Sequence, residues 1–216
     1  MIVIPGTKQL GHSMKRLLAA IRLAGAFAVA ALWAPSAALA HPGLEHIHGA
    51  ISGFAHPFTG LDHMLVTVAI GVLAAQLGGR ALSLVPLAFI ATMAAAGALA
   101  IAGYEIPHVE GGIALSALAV GAAIALRLNV TTATATTAAA LFAVFHGQAH
   151  GVEMPPSLSG LGYGVGFIAA TALLHGVGMG GFLLIARPQS LAGQAAMRII
   201  GAIAALAGTM MLIRAA

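Results

Sequence analysis

The sequence predicts an all-α membrane protein, a polytopic bundle of about six transmembrane helices. Hydrophobic residues make up 60% of the 216 residues and charged residues only 6%, whereas a soluble domain carries about 25% charged residues. Successive apolar stretches approach the roughly 20 residues that a helix needs to cross a bilayer. The connections between these stretches are short, which indicates one membrane domain and not a membrane anchor attached to a soluble enzyme.

The N-terminal part of the chain has the pattern of a secretory signal peptide. A basic region begins at Met14 and precedes the apolar run 23–33, and the small-x-small sequence Ala38-Leu39-Ala40 ends directly before His41. This order of basic, apolar and small residues is typical of a cleavable leader. We therefore expect residues 1–40 to be removed, with Met14 as an alternative start. An uncleaved first transmembrane helix is the competing interpretation.

The rest of the chain divides into a short periplasmic segment, 41–50, and a transmembrane transport domain, 51–216. The apolar stretches of this domain predict six spans: 51–77, 82–102, 111–126, 130–150, 161–186 and 199–213. If the mature N-terminus lies outside, most of the arginines fall at cytoplasmic ends, as the positive-inside rule requires. The arginines at the cytoplasmic ends are Arg80, Arg127, Arg187 and Arg198. Arg214 is the exception, because it falls at an outer end. The acidic residues fall at outer ends: Glu45, Glu105, Glu110 and Glu153.

Two imidazoles and a carboxylate interrupt the first apolar span, at His56, Asp62 and His63. Ionisable groups at membrane depth are costly, and they mark ion pathways or paired sites. Imidazole and carboxylate are both ligands of divalent first-row metals, so this segment predicts a metal site. Pro57 and Gly60 indicate a broken helix, as in transporter ion sites. The alternative is a kinked helix whose polar groups satisfy one another.

A second group of ligand types lies in the fourth predicted span. His146 and His150 are four residues apart and share one helical face, a spacing suited to a shared metal ion. Glu153 lies three residues further on, near the outer end, where it is a candidate ligand or entrance carboxylate. The alternative is a pair of histidines that only form hydrogen bonds between helices.

Three further residues are candidate metal ligands with weaker support. His175 lies about midway along the fifth span and would face the same bundle. Glu110 begins the third span on the outer side, where it would attract cations. His41 would offer an α-amine and an imidazole after cleavage, although a solvated tail is the alternative.

These motifs resemble one known family of membrane proteins. The segments His56-Pro57-Phe58-Thr59-Gly60-Leu61-Asp62-His63 and Phe145-His146-Gly147-Gln148-Ala149-His150-Gly151, with the leader before His41-Pro42-Gly43, are similar to those of the HupE/UreJ family. The resemblance covers essentially the whole mature chain. It implies a small bacterial secondary permease for nickel or cobalt. In the wider nickel/cobalt permeases, four residues separate the first histidine from the Asp-His pair, whereas five do here.

The resulting expectation is import of Ni²⁺ or Co²⁺ across the bacterial inner membrane, with the ion as bound cargo and no resident cofactor. His56, Asp62 and His63 would form the central site, His146 and His150 would complete it, and Glu153 and Glu110 would stand at the mouth. The expected partners are a divalent metal ion and membrane lipid, and the thinly spread charges indicate no nucleic acid. The chain contains no cysteine and no phosphate-binding Gly-x-x-x-x-Gly-Lys-Ser/Thr loop. A zinc-dependent intramembrane hydrolase is the alternative, and haem binding between paired histidines is a third.

Overall fold

The computed structural model describes residues 45–155, 159–185 and 190–215, apart from the side chains of residues 45–48, 61 and 62. The predicted leader and His41 lie outside the described residues. The described part of the chain forms seven α-helices and one 3₁₀ turn and contains no strand, which confirms the all-α fold. The helices are α1 (Glu45–Ala55), α2 (Leu61–Leu77), α3 (Ala81–Ile101), α4 (Val109–Ala125), α5 (Thr132–Val152), α6 (Gly160–Ile185) and α7 (Leu191–Ala215).

The helix boundaries follow the apolar stretches closely, with two exceptions: α1 begins at Glu45, six residues before the predicted start of the first span, and α7 also begins early. Helices α3 to α6 begin and end within two residues of the predicted spans. Helix α7, however, begins at Leu191, well before the predicted start at residue 199. The apolar run is interrupted by Arg198, but this side chain is exposed. Backbone hydrogen bonding continues through such a residue, so the charge ends the apolar run without ending the helix.

Three helices, α3, α6 and α7, are long and apolar enough to cross a membrane. The bent pair formed by residues Gly49–Phe58 and His63–Leu77 provides a fourth candidate span. Helix α4 is apolar but has only 17 residues, and α5 carries the polar residues of the His146 motif along its last turns. Length and apolar composition therefore support a membrane helix bundle, in which three or four spans within the described residues satisfy both criteria.

Close helix pairs bring the polar segments together in the middle of the bundle. Helix α3 packs along α5, α4 along α7, and both α1 and α2 along α6. Glycines permit the close approach: a Cβ on Gly147 would collide with the carbonyl oxygen of Met93, and one on Gly71 would collide with that of His175. Small residues at helix contacts are the usual means of tight packing in membranes. The result places the histidines of α5 against α2 and α3.

Candidate metal centre

The predicted break in the first span is present and positions its histidines. A 3₁₀ turn over His56–Phe58 separates α1 from α2, and the two helical segments meet at 78°. Pro57 has no amide hydrogen, so it cannot continue the hydrogen-bonding pattern of α1. The hydroxyl of Thr59 donates to the carbonyl oxygen of His56 at 2.7 Å, which stabilises the turn. His56 therefore lies at the break, and His63 lies in the first turn of α2.

Helix α5 presents His146 and His150 on one face, as their spacing predicts, and both are buried. Between them, the Gln148 side chain attaches α5 to the end of α3 and the connection after it. Its amide nitrogen donates to the carbonyl oxygens of Ala96 and Tyr104, each at 3.1 Å. Its amide oxygen accepts from the backbone nitrogen of Ile106 at 3.2 Å. These contacts fix the rotation of the histidine-bearing turns.

His63, His146 and His150 form a buried imidazole trio. One ligand nitrogen from each lies within 4.8 Å of the other two. The Nδ1 atoms of His63 and His146 are 3.2 Å apart. Metal–imidazole bonds of about 2.0–2.1 Å place two nitrogens on one tetrahedral ion roughly 3.3–3.4 Å apart. The trio therefore has a spacing that suits a shared divalent cation.

Ser116 of α4 determines which nitrogen of His146 is available to a metal. Its hydroxyl donates to the carbonyl oxygen of Ile113 at 2.6 Å, and its oxygen lies 3.0 Å from Nε2 of His146. A hydroxyl has one hydrogen to donate, so the Ser116 oxygen accepts the Nε2 hydrogen of His146. In the neutral imidazole this leaves the lone pair on Nδ1. That nitrogen is the one that faces His63.

A second trio, the outer trio, consists of His56, His150 and Glu153. Their ligand atoms also lie within 4.8 Å of one another. Oε2 of Glu153 lies 3.0 Å from Nε2 of His56 and 3.5 Å from Nδ1 of His150. The neighbouring His150 imidazole, and then the hydrogen bond from His56, lower the pKa of Glu153 to about 2 against the opposing effect of burial. This carboxylate is therefore ionised throughout the physiological pH range.

The whole outer trio, and His63 and His150 of the buried trio, line one cavity of about 320 Å³. Its lining includes His56, His63, His150, Glu153 and Glu110, together with Thr59 and Gly60. Glu110 is exposed in the first turn of α4, where the positive end of the helix dipole favours a negative charge. The cavity thus joins carboxylates at its exposed side to imidazoles at its buried side.

The structure divides the predicted site residues differently from the sequence expectation. His56 lies with Glu153 in the outer trio, while His63 joins His146 and His150 in the buried trio. Asp62 lies in the first turn of α2, but its side chain is outside the described residues. His175 is buried but belongs to neither trio.

Several residues that sequence reasoning missed surround these groups. Ser116 holds His146, and the Phe89 ring lies 5.4 Å from the His146 ring between ring centroids. Phe167 packs against His150 at 4.2 Å, and Tyr163 packs against His56 at 5.8 Å. A usable signal existed for Ser116, since it is the one hydroxyl residue in the predicted span 111–126. The aromatic residues carry no comparable signal in the sequence.

Comparison with known proteins agrees with these motifs. The model of the HupE / UreJ protein family matches residues 18–211. The chain belongs to the HupE/UreJ family. It is also 43% identical over 185 residues to "Protein HupE" of Rhizobium leguminosarum bv. viciae, which covers 86% of this chain and 95% of that protein. No solved structure matches the chain. The resemblance predicted from the histidine motifs is therefore confirmed.

Proposed function

We propose that this HupE/UreJ-family chain is a secondary transporter that imports Ni²⁺ or Co²⁺ across the bacterial inner membrane. The observation that carries the proposal is the buried imidazole trio at the end of a carboxylate-lined cavity. Ionisable groups at this depth in an apolar helix bundle mark ion pathways. The chain belongs to the HupE/UreJ family. The resemblance of its motifs to that family implies a nickel or cobalt permease, which supports the same function.

The chemistry of the two trios suits first-row divalent cations. Imidazole binds nickel and cobalt well, whereas Mg²⁺ and Ca²⁺ prefer oxygen ligands. A cation would first meet the outer trio, where Glu153 and nearby Glu110 provide negative charge. His150 belongs to both trios, so the ion can exchange Glu153 and His56 for the buried imidazoles while it keeps one ligand. Asp62, beside His63 in the chain, remains a predicted ligand of the buried site.

The membrane potential supplies enough free energy for this import. Two positive charges at about 2.3 kcal/mol per charge per 100 mV correspond to roughly 4.6 kcal/mol, or on the order of a thousandfold accumulation. No nucleotide-binding loop is required. The distribution of arginines and acidic residues supports a periplasmic mature N-terminus and a cavity that opens to the periplasm.

Uptake of labelled Ni²⁺ and Co²⁺ by cells that lack their own permeases tests the proposal. Expression of the unsubstituted chain should produce uptake. Loss of a residue that only supports a metal ligand typically lowers activity by roughly 10- to 100-fold. His146→Ala removes a ligand itself and should lower uptake by more than that. His108→Asn is the matched control, because His108 is an exposed histidine at the start of α4. Asparagine is chosen because it tolerates the left-handed backbone conformation of His108, whose φ is 59°. Uptake that His146→Ala leaves unchanged would refute the proposal.

The imidazole trio also supports a second candidate, a zinc-dependent intramembrane hydrolase. Three histidines with an open position can hold a catalytic zinc ion and activate water. This function requires zinc that stays bound during purification and hydrolysis of a lipid or a peptide. Exchangeable metal together with uptake into vesicles would instead favour the transporter.

A further inference from the structure

His175, in the middle of α6, is a buried imidazole without a hydrogen-bond partner. Its exposed fraction is 1%, and neither Nδ1 nor Nε2 makes a hydrogen bond within the described residues. Buried polar groups normally have partners, because an unsatisfied donor or acceptor lowers stability. A leucine at this position would fill similar space without that penalty. The imidazole is therefore better explained by a ligand than by packing.

One aromatic ring connects His175 with the buried trio. The Phe89 ring centroid lies 5.3 Å from that of His175 and 5.4 Å from that of His146. Phe89 is fully buried and meets the His175 ring edge to face at 84°. The ring thus contacts both an imidazole of the trio and the unpartnered imidazole of α6.

His175 lies further along the helices than the trio. Helices α2 and α6 pack together, and Gly71 of α2 touches the backbone of His175. Gly71 is eight residues beyond His63, which corresponds to about 12 Å along the helix axis. Side chains of an α-helix slant toward its N-terminus. The N-terminal part of α6 lies beside His56, through Tyr163, so the His175 imidazole slants back toward the trio.

Two further side chains with possible ligand atoms, Thr171 and Met93, lie one helical turn from His175 and from Phe89, respectively. Thr171 is four residues before His175 and shares its helical face, and its buried hydroxyl lies 4.0 Å from the thioether sulfur of Met93. Met93 is in turn four residues after Phe89 in α3. Imidazole nitrogen and thioether sulfur are softer donors than the oxygens that Mg²⁺ and Ca²⁺ require. This neighbourhood therefore suits a transition-metal cation.

We infer that His175, with Thr171 one turn away on the same helical face, is a second binding station for the transported divalent cation, connected with the buried trio through the Phe89 ring that contacts both imidazoles. The inference rests on the proposed transport function. An ion that leaves the trio reaches His175 when the Phe89 ring moves to another rotamer. The station gives the cation a ligand in the apolar middle of the bundle, and it repeats the selection against Mg²⁺ and Ca²⁺.

The test compares the full chain with its His175→Leu variant in three measurements. These are equilibrium binding of Ni²⁺ and Co²⁺ to detergent-purified protein, uptake into proteoliposomes, and the melting temperature. We expect His175→Leu to lower uptake about tenfold or more while metal binding at the buried trio persists. The melting temperature should stay the same or rise, because the unpartnered nitrogens are removed. Leu174→Met, at the adjacent buried position, is the control and should leave all three unchanged.

Each outcome decides a separate point. Unchanged uptake by His175→Leu, with clear uptake by the unsubstituted chain, would overturn the second station and leave the transport function standing. A lower melting temperature together with lost binding would indicate a packing role and would also overturn it. If His175→Leu fails to insert, His175→Gln replaces it in the test. Glutamine stays polar but is a poor metal ligand, so this variant must show the same loss of uptake. Absence of uptake by the unsubstituted chain would refute the transport function itself.

Discussion

Replacing Ser116 by alanine removes one hydroxyl from the buried metal centre without touching a ligand. The Ser116 oxygen accepts a hydrogen bond from Nε2 of His146 at 3.0 Å, and its own hydrogen is donated to Ile113. In the Ser116→Ala variant the Nε2 hydrogen has no acceptor. The neutral His146 ring is then free to carry its hydrogen on Nδ1, the nitrogen that faces His63. Metal binding must in that case first move this hydrogen back to Nε2.

The magnitude follows from the single hydrogen bond that is lost. One such bond contributes about 0.5–1.5 kcal/mol, which corresponds to about a 2- to 13-fold weaker binding constant. Loss of a group that orients a metal-bound histidine typically costs about 10- to 100-fold in affinity. We therefore expect Ni²⁺ and Co²⁺ affinity to fall by roughly tenfold, with the protein still folded, since alanine leaves only a small void.

Isothermal titration of the purified protein with Ni²⁺ and with Co²⁺ measures this change directly. Thr209→Ala is the matched control, because the Thr209 hydroxyl bonds only to the carbonyl oxygen of Ala205 in its own helix. The control should retain full affinity. Equal affinities of Ser116→Ala and the unsubstituted chain would refute the assignment of the His146 tautomer. A similar loss in Thr209→Ala would instead show a general effect of removing a hydroxyl.

Three further predictions concern the mouth, the packing and the pH dependence. Glu153→Gln should raise the metal concentration for half-maximal uptake by roughly 5- to 30-fold. A carboxylate 4 Å from a divalent cation in water contributes about 2 kcal/mol, or about 1 kcal/mol per unit charge, and salt reduces this for an exposed group. An unchanged concentration dependence would exclude Glu153 from the entrance. Gly147→Ala should lower the melting temperature, because the added Cβ would collide with the carbonyl oxygen of Met93. Gly164→Ala is the control and should be neutral, because a Cβ there meets nothing within 4 Å. Equal melting temperatures of the two variants would contradict the packing described for α3 and α5. Metal binding should weaken as the pH falls, because protons compete with the metal for the imidazole nitrogens. Glu153, with a pKa of about 2, stays ionised during this change. An affinity that does not fall on acidification would contradict imidazole ligation.

The helical elements were predictable because their causes are local. Apolar stretches gave α3 to α6 within two residues, and Pro57 with Gly60 indicated the break before α2. The extra turns at the start of α7 were missed because Arg198 interrupts hydrophobicity without interrupting backbone hydrogen bonds. Within the described residues, length and composition together identify fewer helices than the apolar stretches predict. Short or partly polar helices such as α4 and α5 are helical in the structure, but they are poor candidates for crossing a bilayer alone.

The grouping of the ligands depends on contacts between helices, which periodicity cannot supply. The i, i+4 spacing of His146 and His150 correctly predicted a shared face, because both residues belong to one straight helix. The relation between His56 and His63 cannot be read from spacing in this way, because the 78° bend between their helical segments places them in two different trios. Ser116 is a second residue whose role depends on contacts between helices. Its hydroxyl was visible in the sequence as the polar residue of an apolar span, but its meaning depends on α4 packing beside α5. Sequence therefore predicts which residues carry the chemistry, and the angle between neighbouring helices decides which of them can hold one ion together.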